Sequence, residues 1–183
     1  MYIFGYGSLM NSASRQLTGE TGAAIPVIVH GLVRHWAKID PRYSHSPLAA
    51  TVGHGQVNGV LLRVTSASLE GFDQREVGYE RINITANQIE TDSSFSSAEP
   101  IWVYVKKEPQ PPCDQSPILQ TYVDTVLSGC LEISESFAEH FVRHTIGWQS
   151  PLENDRNQPK YANFAGIPAT HLAKIDALLQ RPN

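Results

Sequence analysis

The feature that most constrains the fold is a change of hydrophobic period at the proline-rich segment 107–117, KEPQPPCDQSP. Before this segment, short apolar runs alternate with turn signals, which is typical of strands. These runs lie at residues 1–4, 25–39, 57–64, 78–85 and 101–107. After it, apolar residues recur at helical spacing, and a last helix is predicted beyond Pro168. The sequence therefore predicts an α+β fold, a small curved or closed mixed β-barrel flanked by helices.

Length and charge limit the class of protein. The chain has 183 residues, of which 41% are hydrophobic, so residues 1–183 are predicted to form a single domain that needs no disulfide. Cys113 and Cys130 are accordingly predicted to be free thiols. A net charge of −4 argues against nucleic acid as a partner. No apolar run is long enough to cross a membrane and the first residues lack a secretory pattern, so we expect a cytoplasmic protein.

A short helix is predicted within residues 65–81, TSASLEGFDQREVGYER, and it carries an acidic residue on its apolar face. Leu69 and Phe72 define that face, and at about 100° per residue Glu76 projects between them. Because burial of an unpaired carboxylate is costly, Glu76 needs a partner or a raised pKa. Two interpretations remain: a salt bridge from a frayed helix end to Arg81 or Arg63, or a carboxylate that faces a cavity.

The segment IFGYGSLMNS, residues 3–12, predicts a tight turn after the first strand. Gly5 and Gly7 either satisfy the backbone of a plain turn, with Tyr6 packed in the core, or allow backbone N–H groups to converge on an anion. The segment lacks both glycines of a nucleophile elbow, since Tyr6 and Met10 stand two residues before and after Ser8, and this disfavours a serine hydrolase. It also lacks the later Gly-Lys-Ser/Thr of a phosphate-binding loop.

Taken together, two segments resemble the gamma-glutamylcyclotransferase superfamily. YGSLM at 6–10 is similar to the loop that follows the first strand of its members, and FDQREVGYER at 72–81 is similar to their segment with the catalytic glutamate. The second segment looks most like the cation-transport-regulator-like (ChaC-like) branch. GLVRHW at 31–36 and PILQTYVDTVLSGCLE at 117–132 extend the resemblance over most of the chain.

The resemblance implies an enzyme that releases 5-oxoproline from a gamma-glutamyl compound, by attack of the substrate's α-amine on its γ-carbonyl. It assigns the catalytic role to Glu76 and substrate binding to Tyr6, Gly7, Ser8 and Leu9, which would hold the substrate's α-carboxylate. No metal or cofactor is required for this reaction. Glutathione is the leading substrate, beside gamma-glutamyl amines and peptides. The alternative is a non-catalytic binding module for a small carboxylated metabolite.

Several other features leave alternatives open. Arg34 and Arg81 are candidates to pair with carboxylates inside the barrel, for structure or for function. His140 and His144, four residues apart on a predicted helix, are interpreted as surface residues rather than metal ligands. Residues 147–166, which include Tyr161 and Phe164, are a candidate lid or specificity wall. The glycines at 53–55 and 58–59 predict turns or bulges.

Overall fold

Residues 1–17, 23–40 and 43–180 are described by a computed structural model, with most strands before residue 107 and most helices after it. The strands are β1 (Tyr2–Gly5), β2 (Ala24–Trp36), β3 (Leu48–Arg63), β4 (Glu80–Ile84), β5 (Ile89–Glu90), β6 (Ile101–Val105), β7 (Ile118–Leu119), β8 (Thr145–Ile146) and β9 (Leu152–Glu153). The helices are α1 (Ser12–Leu17), α2 (Ser66–Arg75), α3 (Gln120–Ile133), α4 (Glu135–Arg143) and α5 (Ala169–Leu179). Short 3₁₀ turns lie at Ser8–Met10 and Ala86–Gln88. Among the described residues, no helix has the length and apolar character that a membrane span requires.

One curled sheet contains seven of the strands. Its order is β4-β6-β1-β3-β2-β5, with β8 beside β2. β1 lies parallel to β6 and β8 lies parallel to β2, whereas the other neighbours are antiparallel. No pairing joins the edge strands β4 and β5 in the part of the chain described, so the sheet is a half-barrel. The predicted α+β fold with a mixed sheet and flanking helices is confirmed. Of the two predicted forms of the sheet, curved or closed, the structure has the curved one.

The short central strand β1 leaves the sheet after Gly5, and its two neighbours then meet. The Lys106 N–H, just beyond β6, donates to the Ala50 carbonyl of β3 at 2.8 Å. The Tyr6 hydroxyl joins the same two strands, because it donates to the Tyr104 carbonyl at 2.7 Å and accepts from the Ala50 N–H at 3.2 Å. The chain therefore leaves the sheet at a gap that the buried Tyr6 side chain fills.

The long hairpin of β2 and β3 contains both segments for which turns or bulges were predicted, 53–55 and 58–59. Both segments lie inside β3, where glycine allows the two strands to approach closely: an added Cβ at Gly55 would lie 2.6 Å from the Leu32 carbonyl oxygen. Residues 58–59 pair regularly with β2, whereas 53–55 form the predicted bulge: His30 pairs with Gln56 and Leu32 pairs with Val52, so three residues of β3 lie opposite Gly31 of β2. Gly31 has a φ of +89° at this point.

Helix α3 is largely buried and supports the turn that follows β1. Every residue from Gln120 to Cys130 is buried, and the helix contacts α4, α5 and the Ser8–Met10 turn. Gly129 makes this last contact possible, since an added Cβ would lie 2.4 Å from the Asn11 amide nitrogen. The next residue, Cys130, is a fully buried free thiol, and Cys113 is also free.

We expect Gly129→Ala to destabilise the protein, because the new methyl group would collide with the backbone at Asn11. Overpacking of this kind typically costs about 1–3 kcal/mol. Gly71 in α2 is the matched control, since an added Cβ there meets nothing within 4 Å. Gly71→Ala should raise the free energy of unfolding by about 0.5–1 kcal/mol through helix propensity. Denaturant unfolding measures both changes, and equal effects would contradict this packing of α3.

Candidate active site

Two glycines make the sharp turn after β1 sterically possible. An added Cβ at Gly5 would lie 2.8 Å from the Leu9 Cβ, and one at Gly7 would lie 2.9 Å from the Tyr122 hydroxyl oxygen. Neither glycine has φ in the left-handed region, so the requirement is space rather than an unusual backbone angle. The Tyr6–Leu9 loop thus requires glycine at positions 5 and 7.

The backbone of the Tyr6–Leu9 loop leaves hydrogen-bond donors unused. The Met10 N–H donates to the Gly7 carbonyl at 3.0 Å, which closes the 3₁₀ turn. The N–H groups of Gly7, Ser8 and Leu9 and the Ser8 hydroxyl have no acceptor among the residues that the structure describes. Successive unpaired N–H groups are the means by which backbone loops bind anions. The loop can therefore bind a carboxylate or a developing oxyanion.

The Tyr6 side chain does not offer its hydroxyl to a ligand. Both hydrogen bonds of that hydroxyl join β3 to β6, and the residue is buried. Burial, and then the charge of nearby Glu76, raise the pKa of the phenol, so it stays neutral. Packing of Tyr6 in the core, one of the two interpretations of the sequence, therefore describes its side chain, while the residue also borders the cavity described below.

Glu76 lies one residue beyond the end of α2 rather than within the helix. Its N–H donates to the Phe72 carbonyl at 2.8 Å, so Glu76 is the C-cap. Its side chain is 25% exposed, and one carboxylate oxygen lies 3.4 Å from the Arg75 Nε. Burial raises the pKa of the carboxyl above its ordinary value of 4.5, and the charge and hydrogen bond of Arg75 partly oppose this shift.

A cavity of about 380 Å³ brings the Tyr6–Leu9 loop and Glu76 to one space. Much of the remaining wall is aromatic and comes from distant segments: Tyr43, His45, Tyr79, Tyr104, Tyr122 and Tyr161. Of these six residues, Tyr161 alone was predicted from the sequence to form a wall, as part of the 147–166 segment. Tyr79 and Tyr122 stand inside GYER and PILQTYVD, so the signal that could have found them was their place in the two quoted motifs.

The tyrosines of the wall are held by hydrogen bonds and by ring packing. The Tyr79 hydroxyl donates to the Leu48 carbonyl at 2.8 Å, and the Tyr122 ring packs on Tyr161 with ring centroids 4.8 Å apart. The Tyr104 hydroxyl donates to an Asp73 oxygen at 2.8 Å. Burial raises the pKa of all three phenols, so they face the cavity as neutral groups.

Part of segment 147–166 forms a wall of the same cavity, at residues 160–163. Asp155 fixes this stretch: it accepts from the Thr121 N–H at 2.8 Å and from the Lys160 N–H at 2.9 Å. Because Thr121 is in the first turn of α3, the same carboxylate also satisfies a free donor at that helix start. Of the two aromatic residues considered in this segment, Tyr161 lines the cavity and Phe164 does not.

Residues 3–123, about two thirds of the chain, match the model of the family described as gamma-glutamyl cyclotransferase, AIG2-like. The chain belongs to this AIG2-like family. The matched range contains the Tyr6–Leu9 loop and Glu76 but ends before residues 160–163. The resemblance to the gamma-glutamylcyclotransferase superfamily is thereby confirmed, and the narrower resemblance to the cation-transport-regulator-like branch stays a prediction.

Solved structures share the fold of this AIG2-like chain. YkqA from Bacillus subtilis aligns with a TM-score of 0.61 and 21% identity over 84% of this chain, which spans only 56% of YkqA. A gamma-glutamyl cyclotransferase aligns with a TM-score of 0.62 and 14% identity, over 96% of this chain and 98% of that one. The uncharacterized human protein loc79017 gives a TM-score of 0.61 and 14% identity, over 96% and 97% of the two chains. No curated protein sequence matches the chain.

The arginines singled out in the sequence lie outside the cavity wall of this AIG2-like protein. Arg34 is fully buried, and no carboxylate pairs with it among the described residues. Arg81 binds Asp73 at 2.8 Å, and Arg63 binds Glu99 at 2.8 Å. Glu76 therefore pairs with neither Arg81 nor Arg63, the two partners considered from the sequence. Its charged neighbour is the adjacent Arg75.

His140 and His144 stack on each other at the end of α4, with ring centroids 4.2 Å apart. The His144 Nε2 lies 3.2 Å from the Gln56 side-chain nitrogen. Burial, and then the neighbouring His144, lower the pKa of His140 to about 4, so this ring is neutral at physiological pH. Within the described part of the chain, no group of three or more His, Cys, Asp or Glu side chains forms a candidate metal site.

We expect Glu76→Gln to stabilise the protein at neutral pH, because it removes a charge from a largely desolvated position. The raised pKa means that the folded protein binds this proton more readily than the unfolded chain, so the wild type gains stability as pH falls through that pKa. The advantage of the Gln variant should therefore be largest at neutral pH and shrink towards pH 4.5. Urea unfolding across this range measures it.

The control is Glu70→Gln, which changes an exposed glutamate on α2. We expect this substitution to alter the free energy of unfolding by less than about 0.5 kcal/mol. A Glu76→Gln advantage that grows as pH falls would contradict the burial of the Glu76 carboxylate.

Proposed function

We propose that the protein is an enzyme that releases 5-oxoproline from a gamma-glutamyl compound. The observation that carries this proposal is that the Glu76 carboxylate and the unpaired N–H groups of the Tyr6–Leu9 loop border one cavity. The reaction needs one group that moves protons and another that holds the substrate. Membership of the AIG2-like gamma-glutamyl cyclotransferase family supports this class of activity.

Glu76 is proposed to transfer protons in both halves of the reaction. It first takes a proton from the α-ammonium group, and the freed amine attacks the γ-carbonyl carbon to form the ring C–N bond and a tetrahedral oxyanion. The ring nitrogen gives up a second proton, the bond to the leaving nitrogen breaks, and the oxyanion returns to a carbonyl. Both protons pass through Glu76 to the leaving amine, so the enzyme ends in its starting state.

The raised pKa of Glu76 suits this double role. A carboxylate with an ordinary pKa holds a proton weakly at neutral pH, and it is therefore a poor base for an ammonium group. Desolvation makes the Glu76 carboxylate a stronger base, while Arg75 keeps part of the charged form in place. This balance allows Glu76 to accept a proton and then to donate it.

The Tyr6–Leu9 loop is proposed to hold the substrate's α-carboxylate. Its N–H groups, with the Ser8 hydroxyl, provide donors for a carboxylate without placing a charged side chain in the cavity. Because the α-amine is bonded to the carbon that carries this carboxylate, fixing one directs the other towards the γ-carbonyl. The loop thus contributes proximity and orientation rather than bond-making.

Glutathione is the substrate we favour, and gamma-glutamyl dipeptides and amines are the alternatives. Residues 72–81 resemble the cation-transport-regulator-like branch, and the charges of the wall agree with this choice. Arg75 and Lys160 line the cavity, where they pair with Glu76 and Glu153, and Glu76 is the one acidic residue among the described residues of the lining. Such a wall suits a leaving group with a carboxylate, as in the cysteinylglycine of glutathione, better than a cationic amine.

The proposal is tested by incubating the purified protein with glutathione, gamma-glutamyl dipeptides and gamma-glutamyl amines, and by measuring 5-oxoproline by mass spectrometry. We expect product from the wild type, and kcat lowered by at least about 100-fold in Glu76→Gln, because proton transfer is lost. Glu70→Gln on the same helix should keep wild-type kinetics. Binding of a carboxylate without any 5-oxoproline would instead identify a binding module.

Substitution of Tyr161 tests the wall formed by residues 160–163. Tyr161 lines the cavity and packs on Tyr122 with ring centroids 4.8 Å apart, so Tyr161→Ala should enlarge the space for the leaving group. We expect the ratio of kcat/KM between glutathione and a small gamma-glutamyl amine to change by about tenfold or more. Phe164→Ala, outside the cavity wall, is the matched control. The same ratio in both variants would contradict a specificity role for Tyr161.

A further inference from the structure

A fully buried arginine contacts the backbone of the Tyr6–Leu9 loop. Arg34, in β2, is 0% exposed, and its guanidinium stacks on the Phe141 ring at 3.8 Å from the centroid. Burial lowers its pKa to about 9, so it remains charged at neutral pH. Buried cations are usually paired with an anion, because removing a charge from water is costly. Arg34 has no carboxylate partner among the described residues.

Every hydrogen-bond donor of this guanidinium is used on a neutral oxygen. Its Nε donates to the Thr145 hydroxyl at 2.8 Å. Its Nη1 donates to the Asn58 carbonyl at 2.8 Å and to the Tyr6 carbonyl at 3.4 Å. Its Nη2 donates to the Asn58 side-chain oxygen at 2.8 Å and to the Phe141 carbonyl at 3.3 Å. Arg34 therefore joins β3, β8 and α4 to the loop after β1.

The contact with the Tyr6 carbonyl fixes the direction of the next N–H group. The Tyr6–Gly7 peptide is trans, so the Tyr6 C=O and the Gly7 N–H point in opposite directions within one plane. The carbonyl points at the buried guanidinium, and the N–H therefore points away from it. Gly7 lines the cavity, and its N–H has no acceptor within the described residues.

A second arginine acts in the same way at the other end of the Tyr6–Leu9 loop. Arg15, also buried, donates from Nη1 to the Leu9 carbonyl at 2.6 Å and to the Met10 carbonyl at 3.2 Å. Carbonyls at both ends of the loop are thus bound by buried cations, while the N–H groups between them are unused. In a loop whose backbone groups bond only to each other, the N–H groups would be used as fully as the carbonyls. Here the carbonyls have partners and the N–H groups of Gly7, Ser8 and Leu9 have none among the described residues.

We propose that Arg34 is a positioning residue for anion binding, which holds the Tyr6 carbonyl so that the Gly7 N–H is directed at the substrate carboxylate. The identity of that ligand rests on the proposed function. A charge on the carbonyl side also polarises the peptide, and this makes the N–H a stronger donor. A neutral side chain of similar size would fill the space but would neither direct nor polarise the peptide.

The test follows the Gly7 amide resonance of ¹⁵N-labelled protein during titration with 5-oxoproline. 5-Oxoprolinamide, which lacks the carboxylate, is the control ligand. Arg34→Lys keeps the charge with fewer donors, and Arg34→Met removes both. Thr145→Val is the control variant, because it removes another acceptor of the same guanidinium and leaves the Tyr6 carbonyl unchanged.

We expect 5-oxoproline, and not its amide, to shift the Gly7 resonance in the wild type and in Thr145→Val. Both Arg34 variants should bind 5-oxoproline at least about tenfold more weakly. In the assay, KM should rise because the carboxylate is held more weakly, and kcat should fall because the α-amine is less well oriented. A merely less stable fold would lower the fraction of active protein without raising KM.

A wild-type Gly7 amide that ignores 5-oxoproline would overturn the proposal, as would a folded Arg34→Met that binds it with wild-type affinity. If Arg34→Met does not fold, wild-type affinity of Arg34→Lys for 5-oxoproline would overturn the proposal in the same way. Failures of the two proposals are distinguishable. A protein that binds 5-oxoproline through Gly7 without turnover refutes the proposed function alone, and turnover with an unresponsive Gly7 refutes the role of Arg34 alone.

Discussion

The rest of the structure depends on the point where β1 ends between β3 and β6. A strand that stops in the middle of a sheet leaves backbone groups of its neighbours without partners, and buried groups of this kind are costly. The Tyr6 hydroxyl and the Lys106 N–H supply those partners, so β3 and β6 meet while the chain leaves the sheet. The way in which the sheet is completed thus brings Gly7 to the cavity that Glu76, the C-cap of α2, also lines.

Burial shifts the pKa values of Glu76 and Arg34 in opposite directions. It raises the pKa of Glu76 and lowers that of Arg34 to about 9, because both groups lose hydration of their charged forms. For the acid, the result is a carboxylate that accepts protons more strongly. For the base, a pKa of about 9 still lies above neutrality, so the charge behind the loop persists. One physical effect therefore suits a proton carrier in one place and a fixed charge in another.

The sequence predicted the parts of this site that depend on local pattern. The change of period at 107–117 separated the sheet from the later helices, and the two glycines around Tyr6 indicated the turn. Helical spacing directed Glu76 inward, although the helix ends at Arg75 and Glu76 is its cap. The aromatic wall could not be predicted in the same way, because its members meet through long-range packing. The glycines at 53–55 indicated a turn or a bulge, and only the pairing with β2 decides for the bulge and requires glycine at 55.

The two halves of the cavity have different structural origins. The Tyr6–Leu9 loop and Glu76 lie within residues 3–123, the range that matches the family model, and the sheet fixes both. Residues 160–163 lie outside that range and are fixed by other contacts: Asp155 binds α3, and Arg156 binds both Asp124 of α3 and Asp176 of α5 at 2.7 Å. Residues 160–163 can therefore change without disturbing Glu76 or the Tyr6–Leu9 loop. The proposed choice of leaving group and the proposed proton transfer accordingly depend on different parts of the chain.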